Sequence, residues 1–348
     1  MASAAPDVLG VSLGMVIIDE IRIPNKESLI DIIGGSGTFV TLGQRIFANN
    51  PLTVGCLVVA GEDFPKDIES GLQKLGVKLV LKRKEGENSS RGLLKYKDDT
   101  FGAKSFTYTC GPLRASPKDL EGTTLLGAKA VHFFATPEEI LVQVPELVRL
   151  REQRGTVQRP LVVWEPLPAS CKVENMQKFV DACKLVDVFS PNHLEMVSLF
   201  TDNPATGLSG GDLEGYGEQL LKSPIGPTGD GILIVRSGEY GSLSMSSSSR
   251  AKWLPPFYEV GSSKVVDPTG AGNTFLGGYI FGWHATHSQN EAIYHGHVAA
   301  SYALEQIGLP ILDKEGDQEL WNGVAAMDRL AEYKARLRER EVKSICFI

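Results

Sequence analysis

The chain has little of what would mark a special environment. Its 348 residues hold five cysteines: Cys56, Cys110, Cys171, Cys183 and Cys346. The number is odd and no two stand as Cys-x-x-Cys. That argues against a disulfide framework or a thiolate metal site and for reduced thiols. No apolar run reaches membrane-spanning length. The opening MASAAPDVLGVSLGMVIIDE lacks a basic start, and Gly10, Ser12 and Gly14 interrupt its apolar stretch before Asp19. A core strand is expected there, not a signal peptide. Cys346 falls one position too late for a prenylation motif. Net charge is only −7, which points to neither nucleic acid nor an anionic membrane as a partner. A cytoplasmic protein acting on a small molecule is the expectation.

What remains is ordinary for a globular chain, with 42% hydrophobic and 22% charged residues. This length can bury a full core without staples. Short apolar runs at 8–13, 53–59, 129–134, 160–164, 186–190 and 231–235 read as strands. Several are continuous, as a parallel sheet covered on both faces requires. Between them the periodicity predicts helices over 36–48, 64–75, 137–153, 173–183, 193–200, 212–222, 271–285, 290–307 and 317–340. The alternation predicts one doubly wound α/β domain over residues 1–312 and a peripheral helical tail over 313–348. Residues 15–33 and 88–110 contain strand-like pieces that do not fit as crossovers. They are expected to form a small β-sheet projecting from the core, a lid or an interface. Residues 201–211, 223–230 and the serines 246–249 read as surface excursions. The basic run Arg336, Arg338, Arg340 and Lys343 reads as a solvated face.

The strongest motif is Asp267-Pro-Thr-Gly-Ala-Gly-Asn273. It follows an apolar pair and opens a helix. Unpaired N–H groups and the dipole at a helix N-terminus favour an anion, and small residues let a phosphate come close. A plain tight turn needing glycine explains the same letters. Gly277-Gly278, further on, reads as helix–helix packing.

The stretch 267–279, DPTGAGNTFLGGY, resembles the C-terminal signature of the PfkB, or ribokinase-like, carbohydrate kinases. Other pieces agree in order over roughly residues 8–310. The resemblance implies a three-layer α/β/α sandwich with a mostly parallel central sheet and a small β lid. It also implies an ATP-dependent phosphotransferase that uses Mg²⁺. Gly270, Ala271 and Gly272 would form the anion loop, and residue 273 is the family's catalytic position. Gly34 and Gly35 would belong to the acceptor site with Asp19. Phe39 stands where many members have a substrate-binding Asn, suggesting a more apolar acceptor. Asn192-x-x-Glu195 would organise Mg²⁺ through water, although the same spacing is a helix capping box. Ser237, Gly238 and Gly241 would lie along the nucleotide, as would His297; a hairpin turn accounts equally for the first three. Asp267 and Thr269 would take a monovalent cation, usually K⁺. Family lids often pair two subunits, so a homodimer through the lid is open.

The departure is Asn273, where the family has Asp acting as base on the acceptor hydroxyl. An amide orients a hydroxyl but takes no proton at neutral pH. General-base help is worth roughly 10²–10⁴-fold. Three outcomes are open: an acceptor already anionic or easily ionised, a base borrowed from Asp19 or Glu165, or nucleotide binding without turnover. A ligase forming an acyl phosphate on the same fold also needs no hydroxyl base. A dehydrogenase would want Gly-x-Gly-x-x-Gly after the first strand, and residues 10–15 read GVSLGM.

Overall fold

A computed structural model describes residues 6–98, 104–202 and 209–345. The N-terminal part contains β1 (Gly10–Ser12), β2 (Ile17–Arg22), β3 (Leu29–Gly34), α1 (Ser36–Arg45), β4 (Gly55–Ala60), α2 (Lys66–Lys74), β5 (Lys78–Arg83), β6 (Arg91–Tyr96) and β7 (Lys104–Cys110). The middle runs β8 (Ala130–Ala135), α3 (Pro137–Gln153), β9 (Leu161–Pro166), α4 (Met176–Cys183), β10 (Val188–Phe189), α5 (His193–Ser198), α6 (Gly210–Leu220) and β11 (Ile232–Arg236). Then come β12 (Ser242–Ser246), β13 (Ser249–Leu254), α7 (Ala271–Thr286), α8 (Gln289–Leu304), β14 (Leu312–Glu315), β15 (Gln318–Trp321) and α9 (Ala326–Ile345).

The central sheet has the order β1-β8-β9-β10-β11-β12-β13. Its first five strands are parallel and its last two antiparallel. A parallel bridge between Gly10 and Val54 brings the β4–β5 pair alongside β1. Alternate strand residues supply two cores, one per face. Val163, Val188, Ile232 and Ile234 pack under α1, α7 and α8, while Val162, Trp164, Phe189, Leu233 and Val235 pack under α3 and α4. This is the expected three-layer sandwich.

The strand-like pieces within 15–33 and 88–110 form the second sheet, in the order β3-β2-β6-β7. The serines at 246–249 are the turn of the β12–β13 hairpin rather than an excursion. The end of the chain departs further. The expected helix over 317–340 starts only at Ala326, after the β14–β15 hairpin. Nor is the segment peripheral: Trp321, Leu330 and Tyr333 are buried in the main core. Glu319 meets the buried Arg45 guanidinium through two 2.6 Å hydrogen bonds. In the basic run, Arg336 lies over the Phe257 ring at 4.3 Å and donates to its carbonyl, so it is not simply solvated. Cys56, Cys110, Cys171 and Cys183 are free; Cys346 lies outside the described residues. Among the described residues no helix is long and apolar enough to cross a membrane.

What positions the site is the approach of α7 to its neighbours. This helix is apolar on nearly every side and is sandwiched between α1 and α8. A Cβ at Gly277 would stand 2.2 Å from the Val40 carbonyl of α1, and one at Gly278 would stand 2.5 Å from the His295 carbonyl of α8. The glycine pair is a packing device, as its position suggests. Gly277→Ala should therefore cost about 2–3 kcal/mol, because backbone has to move. Gly71→Ala, in open space on α2, should gain about 1 kcal/mol. Urea-unfolding midpoints of the two variants test this, and a neutral Gly277→Ala would mean that α1 and α7 are less tightly held.

Candidate active site

The loop before α7 is closed by its own hydrogen bonds. The Val266 and Asp267 N–H groups both donate to the Leu304 carbonyl at the end of α8, at 2.7 and 3.1 Å. Asp267 Oδ1 accepts the Thr269 N–H at 2.9 Å and the Thr269 hydroxyl at 2.6 Å. This is a side-chain turn of the kind Asp favours. Gly270, with φ 77°, then starts the helix. Helices α3, α5, α6 and α8 are each capped by a side-chain oxygen, from Thr136, Asn192, Ser209 and Ser288. α7, like α1 and α4, has no side-chain cap and no acid in its first turn. Its first N–H groups carry the positive end of the helix dipole. Phe39 and Arg236 flank it: a Cβ on Gly270 would fall 2.4 Å from the Phe39 ring, and one on Gly272 would fall 2.4 Å from Arg236 Nη1.

Behind the loop, polar groups line the carboxyl ends of successive parallel strands, where α/β sheets bind ligands. Ser12 Oγ at the end of β1 lies 2.8 Å from His132 Nδ1 on β8. His132 Nε2 is 3.3 Å from Glu165 Oε2 on β9. Arg236, ending β11, puts Nη1 2.7 Å from Glu165 Oε1, and its Nη2 donates to the Ser190 carbonyl at 2.9 Å. Nη2 also lies 3.7 Å from Glu195 Oε2. The Asn273 side-chain N–H donates to Glu165 Oε2.

Burial pushes the Glu165 carboxyl up, but the Arg236 charge and the His132 hydrogen bond outweigh it and hold the group below the usual carboxylate range. Glu165 is therefore ionised, weakly basic and shut behind Asn273. That argues against it as a borrowed base. Glu195 differs. Burial raises it to about 7, with Arg236 opposing and the Glu165 charge adding to the rise. It sits in a reciprocal capping box with Asn192, so the structural reading of that pair is realised. Among the described residues no group of three or more His, Cys, Asp or Glu can hold a metal ion directly.

Asp19 lies on β2 in the second sheet. A Cβ on Gly34 would stand 2.0 Å from its Oδ2, so this glycine makes room for the carboxylate. Gly35, with φ 89°, starts α1, and Phe39 follows one turn on, against Gly270. Asp19 is buried with Oδ1 lacking a partner, and burial raises its pKa to about 6. A ligand with hydroxyl donors would satisfy that oxygen.

The other expected residues fare unevenly. Ser237, Gly238 and Gly241 form the tight turn from β11 to β12, with both glycines at positive φ. Hairpin geometry accounts for the glycines; the Ser237 hydroxyl is buried without a partner beside Arg236, whose Nε also lacks one. His297 is buried against Phe275 and Tyr333, with Nε2 2.9 Å from Ser242 Oγ and its pKa lowered to about 3 by burial. Its contacts here are packing contacts and one hydrogen bond. Asp267 and Thr269 do not fit a free monovalent cation, because Lys104 from β7 already holds both oxygens. Arg236, His132, Tyr96 and Lys104 escape sequence reading because each stands alone in its segment. A charged residue closing the apolar run ILIVR was the one available signal.

The sequence profile described as pfkB family carbohydrate kinase matches residues 46–313. An uncharacterised protein of Schizosaccharomyces pombe is 30% identical over 358 residues, covering 97% of this chain and 96% of the relative. Protein MAK32 of Saccharomyces cerevisiae is 29% identical over 345 residues, covering 93% and 92%. Among solved structures, a putative ribokinase II from E. coli in complex with ATP and Mg²⁺ is similar with a TM-score of 0.62 at 16% identity, covering 86% of this chain and 94% of that one.

Two outcomes follow from the geometry. Asn273→Asp sets a second carboxylate against Glu165 and should cost about 2–4 kcal/mol. Exchanging the two groups, as Asn273→Asp with Glu165→Gln, should recover most of that loss. A double-mutant cycle on unfolding midpoints checks this; strict additivity would show that the two residues do not meet. Asp19, raised from 3.8 to about 6 on folding, contributes stability that is complete below pH 4 and lost as pH rises through 6. Asp19→Asn should therefore gain on the native chain by about 2–3 kcal/mol between pH 4 and pH 8. Equal differences at the two pH values would show that the carboxylate is solvated.

Proposed function

The chain belongs to the pfkB carbohydrate kinase family, and on that premise we propose that it binds MgATP at the α7 N-terminus and transfers the γ-phosphoryl to a small acceptor held by Asp19. The observation that carries this is the uncapped, glycine-lined start of α7, held between the Phe39 ring and the Arg236 guanidinium. Bound MgATP supplies the phosphoryl group and the metal's charge. Gly270 to Gly272 would offer N–H groups to the phosphate. Asn192 and Glu195 would reach the metal only through water, since a direct multi-carboxylate cage is lacking among the described residues. The Phe39 ring, over Gly270, favours an acceptor with an apolar or aromatic part, a nucleoside more than a bare sugar.

Neither residue 273 nor Glu165 offers the loop a free base. Asn273 is an amide bound to Glu165, and Glu165 is ionised and hidden. Phosphoryl transfer depends mainly on positioning and electrostatics. We therefore assign the acceptor a nucleophile that ionises easily, or a slow reaction with an ordinary hydroxyl. The Glu165–Asn273 bond also favours a second reading: a nucleotide-binding regulator that does not turn over.

ADP release with ATP, Mg²⁺ and a panel of nucleosides, sugars and carboxylic acids separates these readings. Acceptor-dependent release by the native chain is the expected result. The exchanged Asn273→Asp/Glu165→Gln variant should be the more active on hydroxyl acceptors, within roughly the 10²–10⁴ range of base catalysis. ATP binding with no release by the native chain, and activity only in the exchanged variant, would establish the regulator instead.

A further inference from the structure

Lys104 opens β7, an edge strand of the second sheet, and its ammonium crosses to the anion loop. There it donates to Thr269 Oγ1 and lies 3.3 Å from Asp267 Oδ1. Tyr96, on the adjacent strand β6, donates its hydroxyl to the same oxygen at 2.7 Å, and the ammonium sits 5.3 Å from the centre of that ring. Asp267 is 2% exposed. Its Oδ1 is thus met by the Thr269 N–H, the Thr269 hydroxyl, the Tyr96 hydroxyl and the Lys104 ammonium.

A buried carboxylate needs a compensating charge close by. A partly dehydrated monovalent ion can supply one, if oxygen ligands are free to replace its water. Here the oxygens assigned to that ion by resemblance already hold a positive group of the same charge. A second cation at the same oxygens would stand within a few ångströms of the ammonium, in a site where repulsion is poorly screened. The residues present do not fit K⁺.

We propose that Lys104 does the electrostatic work of a monovalent cation at Asp267 and Thr269, so that this chain organises its anion loop without K⁺. The charge comes from a lid strand. The loop is therefore fully compensated only while β7 lies against it, which ties the acceptor-side sheet to the nucleotide-side helix. Loop–lid coupling of this kind makes acceptor binding tighten the nucleotide loop, and this consequence rests on the proposed phosphotransfer.

The test needs neither nucleotide nor acceptor. Thermal unfolding of the full chain is followed in KCl, NaCl and choline chloride at equal ionic strength. The native protein should show one Tm in all three salts. Lys104→Met should lose about 5 °C in choline chloride and regain part of it in KCl. Adding Asp267→Asn to that variant should abolish the KCl response, because the charge to be compensated is gone. A native Tm raised by K⁺ over choline would overturn the proposal. So would a Lys104→Met protein that keeps the native Tm and ignores the salt. If Lys104→Met does not fold, the double variant should still do so, since it removes the charge together with its partner; failure of both refutes the pairing. Absence of ATP binding would end the phosphotransfer reading and leave the result on Lys104 standing.

Discussion

Arg236 ends an apolar strand with its guanidinium buried, and the surrounding groups are arranged to answer that one charge. Glu165 meets it at 2.7 Å, the Ser190 carbonyl takes a second N–H, and Glu195 stands 3.7 Å away. A buried charge is tolerated only when paired and hydrogen-bonded. One arginine between two carboxylates leaves negative charge in excess. His132 and the Asn273 amide meet it at Glu165, and the rise in Glu195 pKa toward neutrality relieves it on the other side. The residue at 273 therefore depends on the residue at 165. An amide is the neutral donor that a hidden glutamate accepts.

This dependence changes how Asn273 is read. Considered alone, it stands where the resemblance implies an acidic base. Within the network it is a structural partner, and restoring the acid by itself would replace an N–H donor to Glu165 with a second carboxylate. The glycine-rich helix start lies beside it. The start of α7 is uncapped, and its glycines admit the Phe39 ring and the Arg236 guanidinium at contact distance. The close glycine contacts of α7 with α1 and α8 keep those neighbours in place. Asp19, buried and incompletely bonded, keeps the strain on stability that ligand sites often carry.

Much of the frame was legible because its signals are local. The apolar runs that became β8, β9 and β11, and the capping spacing at Asn192 and Glu195, each need only a few adjacent residues. The end of the chain misled for the same reason. Residues 312–321 are rich in charge, and DQELW, from residue 317, is read as the start of a helix; Gly316 just before it, with φ 60°, makes the segment a hairpin strand instead. Its value to the fold lies in Trp321 and Glu319, whose partners are far away in sequence. His297 was singled out by resemblance, and its surroundings lie far away in sequence. A helical position shared with nucleotide contacts in the resembled family is here filled in by Ser242, Phe275 and Tyr333.

By itself the sequence determined the α/β class, the family and the glycine-rich helix start, because hydrophobic period and glycine spacing act within one segment. Only the tertiary structure decided what each charge does. Glu165, Arg236 and Asn273 come from three separate segments, as do Lys104, Tyr96 and Asp267. A carboxylate's pKa, its partners and its freedom to act as a base depend on burial and on charges a few ångströms away in space. Those neighbours are brought together by strand order and helix packing, which no local stretch of residues encodes.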